Sequence, residues 1–177
     1  MSHLGTLRQL FLSEVYPYMK TSRRHMIFNL IIILVPWVSL LFIGKRHFKR
    51  FFASSFIIAT LETISHIYGH MRGWWEFYDK PRSFIKDELP FDIGPYIPIA
   101  VWLHKFSYGN FKKFVLLNAL ANAAFSFLFM PFLKKIKIIK LKRLNYVQFF
   151  FYIHYKAYLL YGVQHLIERN RDKRNAY

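Results

Sequence analysis

Residues 26–44 read MIFNLIIILVPWVSLLFIG, an uncharged run bracketed by Arg23-Arg24 before it and Lys45-Arg46 after it. As helix the run is roughly 28 Å long at about 1.5 Å per residue, which matches the hydrocarbon thickness of a bilayer. The flanking cations stand where headgroups lie, and each Lys or Arg near anionic lipid is worth roughly 1 kcal/mol. The run therefore predicts a transmembrane helix, with Pro36 kinking it. It has no small-residue cleavage pattern, so it reads as a retained span and not as a signal peptide.

The rest of the chain follows the same pattern. Apolar residues make up 54% of the 177 and aromatics 20%, with 20 Phe. One soluble core of this size cannot hide so many rings. The charged fraction is still 20% because the charges cluster between apolar blocks. A net charge of +17 would suggest nucleic acid in a soluble protein. Here the basic clusters, including the loop 134–143, flank spans, so the expected partner is a bilayer with anionic headgroups and not nucleic acid. There is no cysteine, which excludes disulfides, thiolate zinc or iron–sulfur ligation and a Cys nucleophile. The bias toward Lys, Ile, Phe, Asn and Tyr points to an AT-rich bacterial genome, and hence to the bacterial cytoplasmic membrane.

Working along the chain, Leu4, Leu7, Phe11, Val15 and Tyr18 form one helical stripe, so 1–20 is expected to be an amphipathic interfacial segment. Residues 51–71 are long enough to span, and 72–92 read as a loop with four acids ahead of Asp92. Trp74, Trp75 and Tyr78 at its start suit an aromatic belt. Residues 93–106 are short, and Pro95 and Pro98 interrupt their start, which fits a broken or re-entrant segment better than a full crossing. Residues 114–132 and 146–166 complete the set, and the polar tail from Glu168 is expected to fray. The predicted fold is all-α: a polytopic helical membrane bundle of four to five transmembrane helices in a single integral membrane domain, 1–177. The basic loop 134–143 should be cytoplasmic. The N-terminus shares its side if 93–106 crosses, and a cytoplasmic N-terminus is expected.

Ionisable groups in hydrocarbon cost a few kcal/mol each and are functional candidates by default. Glu62, His66 and His70 recur at intervals of four, so they share a helix face, with Ser55, Ala59 and Gly69 on or beside it. Small residues there let another helix approach closely. A carboxylate and two imidazoles can bind a divalent metal, with His154 or Asp92 completing the shell. They can instead relay protons, or one His can ligate haem against His154. The plain structural reading is that Glu62 pairs with Lys156 or a His, while the imidazoles satisfy buried polar groups. The pair His66 and His70 alone lacks the histidine count of a membrane di-iron centre. Asn118, Asn122 and Ser126 share a face of the next span, for interhelical hydrogen bonding or a polar cavity. His154 and Lys156 point to nearly opposite sides of the last helix, which predicts packing on two sides. Asp92 precedes a Pro-punctuated helix start, as a turn residue or as a carboxylate facing a pore or ligand.

Trp74-Trp75, Tyr78-Asp79-Lys80 and residues 90–98 (PFDIGPYIP) carry a resemblance to a family of small, uncharacterised multi-pass membrane proteins of Bacillus-like bacteria. That resemblance implies a helical inner-membrane protein without an established activity, and it transfers no catalytic residue. From the residues themselves, the chain is expected to bind or conduct an ion, proton or small solute through the cluster Glu62, His66, His70, Asp92, Asn118, Asn122, His154 and Lys156, without covalent catalysis. A structural or assembly subunit of a membrane complex, partnered by itself or by another membrane protein, is the competing class. A metal-dependent membrane enzyme is the third. No P-loop, nucleophile elbow or dinucleotide fingerprint points to another enzyme.

Overall fold

Helix α1 (Arg23–Ser39) continues through one 3₁₀ turn, Leu40–Phe42, before the chain reverses at Gly44 into α2 (Lys45–Arg72). The computed structural model describes residues 23–78 and 83–175, so the amphipathic segment expected at 1–20 lies outside them. Pro36 stays inside α1, where Ser39 Oγ donates to the Pro36 carbonyl at 2.6 Å. Strand β1 (Trp75–Phe77) is followed by two short helices, α3 (Phe84–Asp87) and α4 (Leu89–Phe91), a π-helical turn (Asp92–Tyr96) and α5 (Ile97–Ser107). Helix α6 (Phe111–Ala123) runs through a second π segment (Ala124–Phe129) into α7 (Met130–Lys135). Strand β2 (Ile139–Leu141) and the long α8 (Tyr146–Asn175) end the described chain.

The fold is mostly helical, and three helices are long and apolar enough to cross a membrane: Arg23–Phe42, Lys45–Arg72 and Phe111–Lys135. Apolar side chains such as Phe51, Ile58 and Phe114 fill the core, yet large apolar side chains also cover the outside and several ionisable ones are buried. Val35, Leu41, Phe42, Met71 and Leu128 are each more than 60% exposed, while Glu62, Asp92, Lys156 and Gln164 are at most 2% exposed. Water-soluble domains seldom expose contiguous apolar surface of that extent or bury so many ionisable groups.

Contacts at the two ends fix the helix directions. At one end Arg24 donates to the Lys137 carbonyl at 3.2 Å, and His25 lies 3.4 Å from Asp87. There β1 pairs antiparallel with β2, Trp75 opposite Leu141. At the other end Lys105 Nζ donates to the Ile43 carbonyl at 3.2 Å and Arg50 Nε to Glu168 at 2.8 Å. The helices therefore alternate in direction along the chain, with α2 packed on α5 and α8, and α6 packed on the same pair.

Two expectations change, and a third segment proves longer than its apolar run. Residues 72–92 are not a plain loop, because a strand and two short helices lie within them. Their order comes from the pairing of 75–77 with 139–141, a partner too distant in sequence to leave a local signal. The short segment 93–106 is joined to a helical path beginning at Leu89, so 89–107 is roughly 28 Å long. Prolines permit this: Pro90 and Pro98 sit in first turns, and Pro95, which has no N–H to return to the carbonyl four residues back, sits within the π turn. The tail from Glu168 does not fray. Glu168 accepts from Arg50 Nε and Nη2 and from Gln164 Nε2 at 2.7 Å, and α8 continues to Asn175.

Candidate functional site

Three elements converge on the site. Helix α2 supplies Glu62 and His66, one turn apart on one face. The π turn supplies Asp92 and α8 supplies Lys156. A π turn rotates the residues before it relative to a regular helix, and such turns recur at functional positions. Gly94 lets the turn sit directly on α1: a Cβ there would lie 2.6 Å from the Ile32 carbonyl oxygen. Only glycine fits that contact, and it sets how far Asp92 reaches toward α2.

The four side chains form a linear chain of charges. Lys156 Nζ lies 2.6 Å from Glu62 Oε2, Glu62 Oε1 lies 3.0 Å from His66 Nε2, and His66 Nδ1 lies 2.5 Å from Asp92 Oδ1. The Lys156 ammonium also sits 3.8 Å from the centre of the Tyr152 ring, a favourable cation–π distance. Tyr152 in turn bonds Ser65 through its hydroxyl at 2.9 Å. By charge count, with Lys156 protonated, the quartet is neutral when its imidazole and two carboxyls share one added proton, and it becomes an uncompensated buried anion when that proton is removed. Uncompensated charge in a low-dielectric interior is costly, so protonation and packing of this site are coupled.

His70, the third member of the sequence face, leaves the quartet. Its Nδ1 meets Glu88 Oε1 at 2.6 Å, and the same oxygen accepts from Trp75 Nε1 at 3.0 Å. Burial pushes the Glu88 carboxyl above the usual carboxylate range, and the His70 and Trp75 hydrogen bonds oppose that shift. The Trp75 indole lies flush on α2 at Gly69, where a Cβ would be 2.3 Å from the ring. Glu88 and Trp75 are the site residues that sequence reasoning missed. Glu88 was only one acid among several in a presumed loop, and the β1–β2 pairing is what carries Trp75 inward.

Asn122 Nδ2 and His154 Nδ1 meet at 3.3 Å, joining α6 to α8, while Asn118 Nδ2 donates to the Phe114 carbonyl of its own helix at 2.9 Å. Thus α8 is held on two sides, through His154 to α6 and Lys156 to α2. His154 also stacks on Phe150, ring centres 5.2 Å apart. Among the described residues no group of His, Asp and Glu side chains is arranged as a metal shell. The candidate set Glu62, His66, His70 and His154 is dispersed: His66 spends both ring nitrogens on carboxylates, and His70 and His154 face other partners.

A cavity of about 150 Å³ opens beside the quartet, bounded by Glu62, His66, Glu88 and Asp92 on its polar side and by Asn118 and Asn122 on α6. Much of the remaining wall is aromatic or aliphatic. No family model matches the chain, and no curated protein or solved structure matches it either.

Proposed function

We propose that this chain is a multi-pass protein of the bacterial cytoplasmic membrane that binds or conducts an ion, proton or small solute through the buried quartet, without covalent catalysis. The observation that carries this reading is the unbroken chain Lys156–Glu62–His66–Asp92, buried beside a cavity. Ionisable groups this deep among apolar helices are expensive, and they persist where ions or protons move. A histidine bridging two carboxylates can accept a proton on one nitrogen and release one from the other.

The topology in this proposal has five crossings, with 89–107 and α8 joining the three most apolar helices. Supporting it are the alternating helix directions and the length of 89–107. The basic loop 134–143 and the start of α1 belong on the cytoplasmic side, in keeping with the Arg24–Lys137 contact. Both a bilayer with anionic headgroups and a second copy of the chain are partners compatible with the exposed apolar faces.

The competing reading, a structural subunit whose polar residues only fasten helices, draws on the mutual pairing within the quartet. Reconstitution in liposomes separates the two. With a pH gradient imposed and a pH-sensitive dye inside, the wild-type chain should dissipate the gradient faster than empty vesicles. Glu62→Gln should reduce that rate at least tenfold while keeping its helical circular dichroism. If Glu62→Gln dissipates the gradient as fast as wild type, or if neither exceeds empty vesicles for protons or simple cations, the structural reading replaces this one.

A further inference from the structure

We infer that the cavity beside the quartet binds a small organic ammonium ion with an apolar body, and that binding releases a proton from the site. This inference rests on the reading above and names the solute class for it.

The charge of the lining decides the sign of the ligand. Three carboxyls, of Glu62, Glu88 and Asp92, and one imidazole, of His66, face the cavity. Lys156 compensates Glu62 without lining the cavity. Two carboxylate oxygens are then left over: Asp92 Oδ2 and Glu88 Oε2 are buried and have no hydrogen-bond partner among the described residues. Their side chains are 1% and 3% exposed. A buried acceptor without a donor is unfavourable, and a cation at that spot offsets this through its charge and its N–H or polarised N–CH₃ groups.

The rest of the wall decides the ligand's body. Phe91, Phe125, Phe149, Met130, Ile153 and Leu160 supply apolar surface and π faces. A hydrated metal cation needs about six oxygen ligands, which this wall lacks. An ammonium needs only one or two anionic contacts and gains from rings around it, whose π faces attract cations.

The proton follows from charge balance. The groups facing Asp92 and Glu88 are Glu62, His66 and His70 from α2, Tyr96 from the π turn, and Lys156 and Tyr152 from α8 behind Glu62. On the α1 side, Asp87 beside Glu88 is matched by His25 and Lys86. Without a ligand, excess carboxylate charge is neutralised by a proton on a carboxyl or on an imidazole. When a fixed cation enters, that proton departs to solvent, so charge is conserved and the two compete.

The test is calorimetric titration of the full chain in detergent with benzyltrimethylammonium, beside its uncharged isostere neopentylbenzene. Saturable one-to-one binding of the cation is expected, about tenfold tighter per pH unit for each proton released, with acidification of a weakly buffered sample. The neutral isostere should show only micelle partitioning. Asp92→Asn should weaken cation binding at least tenfold. Ala121→Leu, which leaves every charge in place and fills the cavity from α6, should do the same and carries the test if Asp92→Asn fails to fold. Equal behaviour of the isostere, pH-independent affinity, or unchanged binding in Ala121→Leu overturns the inference. Absent ammonium binding with Glu62-dependent proton flux intact removes only this inference. Ammonium binding without any flux removes only the conduction reading.

Discussion

Lys156 is the one lysine set against the two carboxyls of the quartet, and its loss leaves Glu62 buried beside a single imidazole. Breaking one partner of a buried ion pair costs about 3–5 kcal/mol, whereas replacing both partners with packed apolar groups is often neutral. Lys156→Met should therefore lower the unfolding free energy in mixed detergent by that amount, and Glu62→Leu/Lys156→Met should recover most of it. An additive double mutant would mean the pair contributes no coupling. The Glu88 carboxyl has the opposite leaning: burial favours its protonated form. Folded-state protonation above the ordinary carboxylate range means its contribution is fullest at low pH and is lost as pH rises through the raised value. Thermal unfolding followed upward from pH 4 should show a decline in the wild type that Glu88→Gln flattens, and parallel curves would contradict it. The four-residue spacing made the Glu62–His66 face legible, and Lys156 was named as a partner from charge alone. His70 separated from them because Glu88, brought in by a strand pairing, competes for it. Nothing local in the sequence announces that competition.

Among the elements, the π turn Asp92–Tyr96 has the most consequence for the site. It is seated on the α1 backbone through Gly94, with 2.6 Å between the position of a Cβ and the Ile32 oxygen. Both sides of that contact are backbone or fixed to it, so an added methyl forces the helices apart. Overpacking of this kind costs about 1–3 kcal/mol. Gly94→Ala should lower stability by that amount and weaken the Asp92–His66 contact, which a His66 proton resonance shifted toward that of Asp92→Asn would report. An unchanged melting curve and resonance would mean that α1 yields there freely. Apolar runs made the long helices legible, but not all their ends: α2 begins at Lys45 rather than 51, and α8 runs on to Asn175 rather than 166. The run at 93–106 is short in the sequence because Pro95 and Pro98 interrupt its start; in the structure Pro98 occupies a first turn and Pro95 a π turn, so the helical path runs on through both.

For the molecule as a whole, alternation of helix direction makes a statement that labelling can check. The chain has no cysteine, so single cysteines can be introduced without background. Ile85 is 58% exposed ahead of α4, and Lys112 is exposed at the start of α6. With 89–107 crossing the bilayer, Ile85→Cys and Lys112→Cys should react with a membrane-impermeant maleimide from opposite sides. Reaction from one side would make that segment re-entrant. The helical character and the three most apolar helices were readable because long apolar runs leave few other choices of structure. The two-strand pairing was not, since it joins residues more than 60 positions apart.

That same distance has a consequence for biogenesis. Glu62 emerges from the ribosome well before Asp92, and roughly 90 residues before Lys156. At about 5–20 residues per second the wait for the lysine is several seconds or more. Under the proposed five-crossing topology, α2 would enter the membrane in that interval with its carboxyl paired to His66 and still without its lysine. Under that topology, a chain ending before residue 156 would leave the Glu62 carboxyl buried without the lysine that pairs with it.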